Sequence, residues 1–178
     1  MTIMNDIRIE ELTSETFPQH VDALTDILHA VVLDGASVGF ILPFPREQSE
    51  AFWRERIGPA LKTGRRCLFI ARAKDAVAGT VQLDHDLSPN QRHRAEVAKL
   101  LVHPAHRNRG IAKKLLARLE QRAQGLGRRL ITLDTRSGDV AEALYRAQGY
   151  QVAGRIPGYC RAPEAERLDP TTYMFKQL

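Results

Sequence analysis

Apolar positions along this chain switch between a period of two and a period near 3.6, and each switch marks an element. A strand is expected near Ile7 to Leu12, where Ile7, Ile9 and Glu11 alternate with Arg8 and Glu10. Helical spacing follows at Val21, Leu24, Ile27, Leu28, Val31 and Val32, with Ser14 placed to cap the helix and Phe17 and Pro18 in its first turns. The segment Asp34 to Pro45, DGASVGFILPFP, has turn residues at both ends and exposed apolar residues between them. A second helix is predicted from about Arg46, carrying Phe52 and Trp53, with Pro59 kinking or ending it. Three strands come next, Arg66 to Ala73, Val77 to Asp86 and Arg94 to Val102, with turn signals at Lys74-Asp75 and Ser88-Pro89-Asn90.

Past Val102 the helical period returns. Ile111, Leu115 and Leu119, with Ala112, Leu116 and Ala123 one step round, make an apolar stripe that Gly125 and Gly127 stop. Arg129 to Thr135 reads as a strand and Asp139 to Gln148 as a short helix whose buried line is Val140, Leu144 and Ala147. Strands near Tyr150 to Arg155 and Thr172 to Gln177 close the chain, with Ile156 to Pro170 as a long loop between them. This order predicts an α/β fold around a mixed sheet, a single domain over 1–178, with one parallel pair joined by a right-handed crossover. Thr172 to Gln177 is a candidate edge strand for a homodimer.

Composition changes this picture little. With 178 residues, 43% hydrophobic and 26% charged, the chain is expected to be globular and to bury about 70% of its unfolded surface. No apolar run approaches the ~20 residues of a membrane span, and no secretory pattern opens the sequence, which points to the cytoplasm. Cys67 and Cys160 make neither a disulfide framework nor a metal set, and His103 and His106 read as turn histidines. Charge is more informative. The net +5 is concentrated between Arg107 and Arg129, where eight Lys or Arg stand against Glu120 alone. So local a stripe, without aromatics to stack bases, suits one small polyanion and argues against nucleic acid.

The start of that stripe has a specific use. Arg107, Gly110 and Ala112 fit R-x-x-G-x-A at the opening of a helix, where the first amides lack intrahelical acceptors and the helix dipole favours an anion. Gly110 lets phosphate oxygens approach the main chain, and Arg107, Arg109, Lys113 and Lys114 add charge around the same point. A basic amphipathic helix alone is ordinarily a solvated face; the glycine turn after a strand is what favours a pyrophosphate.

A second motif follows in order: Ala141, Leu144, Tyr145, then Gly149-Tyr150. With Arg107 to Ala112, it resembles the GCN5-related N-acetyltransferase (GNAT) family. The resemblance implies a mixed, mostly antiparallel sheet with a central, splayed parallel strand pair, flanked by helices. It also implies acetyl-CoA as cosubstrate, with no metal, held by Leu100, Leu101, Val102, Arg107, Asn108, Arg109, Gly110, Ile111, Ala112, Lys113 and Ala141. Within the family, the segments GASVGF, RAEVAKLLVHP, LDT, VAEALY and PGYC resemble the branch that confers tabtoxin resistance, which implies a small amino-acid-like amine as acceptor. One departure is Gly138, where many members carry an Asn that bonds the cofactor.

Acetyl transfer needs a neutral amine. With an amine pKa near 10, only a few molecules in ten thousand are neutral at pH 7, so a proton acceptor offsets about 4 kcal/mol. The resemblance places Glu96 and Asp134 in the acceptor pocket and makes Tyr145 the acid that protonates the departing CoA thiolate. In a simple parallel pair Glu96 and Asp134 would lie far apart. That favours Glu96 as base through water and Asp134 as anchor of the substrate ammonium, although either is also placed to face solvent or to pair with Arg94 or Arg136. Lys99 to Val102 would supply a main-chain amide to the oxyanion. Their alternation puts Val97 and Leu101 on one face and Leu100 and Val102 on the other, consistent with a bulge or with burial on both faces. Phe40 and Tyr159 are candidate walls of the acceptor pocket, and Trp53 is a core residue. Alternatives are an aminoglycoside-type or protein N-terminal amine as acceptor, and a CoA-binding module without catalysis.

Overall fold

The computed structural model describes residues 7–178. Its centre is a seven-stranded sheet in the order β1-β2-β3-β4-β5-β7-β6. The strands are β1 (Ile7–Leu12), β2 (Arg66–Ala73), β3 (Ala76–Asp84), β4 (Arg94–Val102), β5 (Leu130–Arg136), β6 (Gln151–Arg161) and β7 (Leu168–Gln177). Only β4 and β5 run parallel; every other pair is antiparallel. Helix α4 (Ile111–Gly125) makes the crossover between them, and α5 (Val140–Ala147) follows β5.

Two apolar layers sandwich the sheet. Under α4 and α5 lie Phe69, Val81, Ala95, Val97, Leu115, Leu119, Ile131, Leu133 and Tyr145. On the opposite face α1 (Val21–Leu33) and the residues after it cover Leu68, Ile70 and Leu101, with Trp53 and Phe44 filling the space between. Among the described residues no helix is long and apolar enough to cross a membrane.

Several sequence expectations change. Ser14 does not cap α1. Thr13 and Thr16 bond each other instead, a single 3-10 turn spans Phe17–His20, and the α-helix begins at Val21. Pro59 does not end the second helix. α2 (Arg46–Ala51) widens into a π-helical stretch, Phe52–Ile57, and Gly58-Pro59 then start α3 (Gly58–Lys62), where a missing amide is harmless. The supposed loop from Ile156 to Pro170 is mostly strand, since β6 continues to Arg161 and β7 begins at Leu168. β7 lies between β5 and β6, so Thr172 to Gln177 is not an edge; the edges of the sheet are β1 and β6.

The largest reversal is in α5. Val140 is 88% exposed and Ala147 is also exposed, while Glu142 and Tyr145 are buried. Glu142 turns the helix. Its carboxylate accepts from the Gly138 amide, from Arg146 and Arg155, and from the Thr172 hydroxyl. These donors, led by the Gly138 amide, hold its pKa down at about 2. A carboxylate this well bonded is more tightly fixed than a valine is by its apolar area.

Candidate active site

The site is built where β4 and β5 part. They pair only at Arg94↔Leu130, Ala95↔Ile131 and Glu96↔Thr132, although both strands continue further. Past Glu96 the β5-facing edge of β4 therefore has no ladder partner there, while the far edge stays bonded to β3 as far as Gly79↔Val102. Gly79 lets these strands close up, because a Cβ on it would meet the Leu101 carbonyl at 2.8 Å. A bulge confirms one sequence alternative. From Thr80↔Leu101 to Gln82↔Ala98, β3 advances two residues and β4 three, and Lys99 has a φ of +50°. The extra residue resets the alternation: Leu100 and Val102 pack toward α4 with Val97, and Leu101 toward α1. Val97 and Leu101 thus do not share a face.

Directly after β4 the chain forms a cradle. A 3-10 turn spans Pro104–His106, with the His103 ring accepting from the Ala105 amide. Asn108 and Gly110 then take left-handed φ values of +60° and +75° on either side of Arg109. Alternating handedness turns successive amides toward one point, the geometry of an anion nest. The amides of Gly110, Ile111, Ala112 and Lys113 have no backbone acceptor among the described residues, whereas Lys114 N already bonds Gly110 O. A Cβ on Gly110 would meet nothing within 4 Å, so the backbone angle requires the glycine and protein crowding does not. The open nest beside an unpaired strand edge fits a diphosphate followed by a thin amide-bearing arm, as in CoA.

The charge around the nest is thinner than expected. Lys114 reaches back to the Ile7 carbonyl, and Arg118 and Arg122 both bind Glu11 on β1. Arg107 pairs with Asp34 at the end of α1. Lys113 makes no ion pair among the described residues, and exposed Arg109 stands within the turn.

On either side of the splay stand the candidate reacting groups. Ala95, Val97, Ile131 and Leu133 face α4, so by alternation Glu96, Thr132 and Asp134 face the other way. Glu96 and Asp134 are not far apart, as the sequence suggested. The register sets Asp134 only two residues beyond the partner of Glu96, about 8 Å between Cα atoms before the splay widens it. Glu96 accepts from Arg94 at 2.5 Å, and Arg94 also donates to Thr132 and Gln91. Asp134 is exposed and accepts from the Thr171 hydroxyl at 3.0 Å.

Tyr145 stands on the opposite, α4–α5 face, four residues after half-buried Ala141 and edge-on to Tyr150. Its hydroxyl makes no hydrogen bond among the described residues, and burial, with Asp134 adding repulsion, pushes its pKa well up. It is a neutral donor with an unused proton.

The candidate acceptor face is assembled from distant segments. Phe40 stacks on Phe44 and Phe52. The Asp34–Pro45 segment is tied across the sheet by Leu42 N to Pro163 O at 2.8 Å and by Arg136 to Gly35 O. Tyr159 shares a 2.7 Å hydroxyl contact with Tyr173, which sits opposite Asp134 in β7. That bond, with partial burial, pushes the Tyr173 pKa to about 12. Sequence reasoning missed the side chains of Lys99 and Tyr173, whose only signal is register across strands, and Phe52, which a helical stretch brings against Phe40. A separate cleft of about 530 Å³, lined by His20, Asp26, Arg72, Asp75, His103 and His106 among others, holds none of these groups. Among the described residues no group of three or more His, Cys, Asp or Glu is placed to hold a metal.

Residues 10–150 match the acetyltransferase (GNAT) family. Among solved structures, yncA, a candidate acetyltransferase from Salmonella typhimurium determined with acetyl-CoA, has a TM-score of 0.76 and 22% identity over 97% of this chain and 94% of that one. The ribosomal-protein-alanine N-acetyltransferase from Brucella melitensis gives 0.75 and 21% over 96% and 99%. A candidate phosphinothricin N-acetyltransferase gives 0.76 and 16% over 97% and 98%. At such identities the likeness to these structures is one of fold. The family match spans most of the sequence, and the chain belongs to the acetyltransferase (GNAT) family, with acetyl-CoA as its cosubstrate.

Proposed function

We propose that this protein transfers acetyl from acetyl-CoA to the amine of a small, amino-acid-like acceptor, of which tabtoxinine-β-lactam is an example. The observation that carries the reading is the splay, which stands between a buried phenol on one face and two carboxylates on the other. The cradle of Arg107, Asn108, Arg109, Gly110, Ile111, Ala112 and Lys113 would receive the diphosphate. The free edge of β4 at Leu100, Leu101 and Val102, with Ala141 opposite, would receive the arm. The amine enters from the Asp134 face and attacks the acetyl carbonyl directly, with a bulge amide available to the oxyanion. Tyr145 then gives its proton to the departing thiolate from the α5 face.

Of the two carboxylates, Asp134 is the better placed to take the amine proton. It accepts from the neutral Thr171 hydroxyl, whereas Glu96 must give up an Arg94 bond. Glu96 then orients the face, and Phe40 and Tyr159 wall it. The strap from Leu42 to Pro163 closes one side, which suits a small acceptor better than a protein chain. Use of acetyl-CoA and two unpaired cysteines suit a cytoplasmic setting.

The test is thiol release from acetyl-CoA across a panel of amines, with Asp134→Asn and Glu96→Gln beside the parent. Asp134→Asn should show the greater loss in kcat, and the loss should shrink as rising pH supplies neutral amine. No turnover of any amine by a chain that binds acetyl-CoA removes the reading.

A further inference from the structure

Lys99 occupies an unusual position. Before the bulge Glu96 and Ala98 face the acceptor side, and after it Leu101 does. The additional residue keeps Lys99 on that side, where a regular strand would have driven its ammonium into the apolar layer under α4. The cost is a left-handed φ of +50° at a non-glycine residue.

The ammonium so placed makes no ion pair among the described residues, and Asp134 acts on it only from longer range. Its Nζ lies 5.8 Å from the centre of the Phe40 ring and 5.7 Å from that of Phe52. It also stands against Gly39, where an added Cβ would meet it at 3.6 Å. No carboxylate comes within ion-pair distance of it among the described residues, and burial pushes its pKa down. Aromatic faces compensate a desolvated cation only in part. Gln82 is fully buried and in register with Ala98. Its Oε1 accepts from Arg66, while its Nε2 donates to nothing among the described residues. Adjacent strands thus present two donors without an acceptor. Across the gap, level with Ala98, is Asp134, the proposed seat of the amine.

We propose that Lys99 binds a carboxylate of the acceptor, so that the enzyme selects molecules carrying a carboxylate beside the reacting amine over plain amines and carboxamides. The inference rests on the reading of this face as the acceptor site. A zwitterion spans it with its ammonium toward Asp134 and its carboxylate toward Lys99, each end meeting its opposite charge.

The experiment measures acetylation of the standard α-amino acids, each beside its α-carboxamide and its decarboxylated amine. For the acids that turn over, the wild-type chain should prefer acid to carboxamide by about tenfold or more in kcat/KM. In Lys99→Met, which keeps side-chain length on the two phenylalanines, that ratio should fall toward one, and Lys99→Arg should restore part of it. A wild-type ratio near one, or an equal fall for both partners of each pair in Lys99→Met, overturns the role of Lys99 and leaves acetyl transfer standing. Absence of transfer to every amine overturns both, and the wild-type panel shows this before any variant is made.

Discussion

The donor cradle and the acceptor face lie on either side of one strand, yet they are built in opposite ways. The cradle is local: residues 107–113 supply its turn, its left-handed glycine and its free amides in one continuous stretch. The acceptor face draws Phe40 from one loop, Phe52 from a π-helical stretch, Lys99 from a bulge, Asp134 from β5 and Tyr173 from β7. Backbone dipoles in a fixed turn recognise one unchanging anion. Side chains gathered by register can be exchanged singly, so the same fold can accept different amines.

Tyr145 is where the two regions meet, and its substitution should be the most damaging. Tyr145→Phe removes the proposed proton donor while keeping the ring against Tyr150, so kcat should fall about 10²- to 10³-fold with little change in acetyl-CoA affinity. Steady-state kinetics with a saturating acceptor measure it. Equal losses in acetyl-CoA affinity and kcat would instead make the phenol a packing residue.

Next in size is a paired test of the cradle. Asn and Asp both tolerate left-handed backbone and have nearly the same shape, so Gly110→Asn and Gly110→Asp differ mainly in charge. Asp should bind acetyl-CoA about 100-fold more weakly than Asn, about 2.7 kcal/mol, because its carboxylate sits on the anion nest. Calorimetry reads the difference. Equal affinities would mean that the diphosphate lies elsewhere.

How far each region was legible follows from the same contrast. R-x-x-G-x-A announces the cradle because a helix start and a glycine turn are written in neighbouring residues. The succession of elements and the parallel pair were equally readable, since crossover rules leave few alternatives, but the order in the sheet was not, because β7 inserts between β5 and β6. The face was not. Lys99 looked like one more strand residue until the bulge set its direction, and Glu96 and Asp134 were judged distant until the register put them two residues out of step. α5 failed for a different reason. Its apolar periodicity favours Val140, but four hydrogen-bond donors, three of them outside the helix, hold Glu142 in the interior.

That carboxylate couples the helix carrying Tyr145 to the strands of the acceptor side. Glu142→Gln should cost about 2 kcal/mol, since the Gly138 amide and Thr172 keep a neutral acceptor while Arg146 and Arg155 lose a charged one. The pH dependence has a definite sign. The folded pKa of about 2 lies below the ordinary 4.5, so the ionised form contributes fully above about pH 4.5 and its contribution fades as pH falls toward 2. Urea unfolding should show parent and variant well separated at pH 7, with the gap shrinking as pH falls from about 4.5 to 3 and closing only toward 2. A gap of the same size at pH 7 and pH 3 would assign the effect to packing.

The smallest effect probes where the two regions touch. Arg107 belongs to the cradle by sequence, yet it is paired with Asp34, where the acceptor loop leaves α1, and both side chains are partly exposed. If Arg107 serves the diphosphate, Asp34 competes for it. Asp34→Asn should then tighten acetyl-CoA binding about threefold, within the 0.2–1 kcal/mol of an exposed pair, and the gain should vanish at high salt. If the pair instead anchors the loop, the same substitution loosens the acceptor face and raises the acceptor KM while acetyl-CoA affinity stays put. The two outcomes fall on different substrates, so one variant decides which region Arg107 serves.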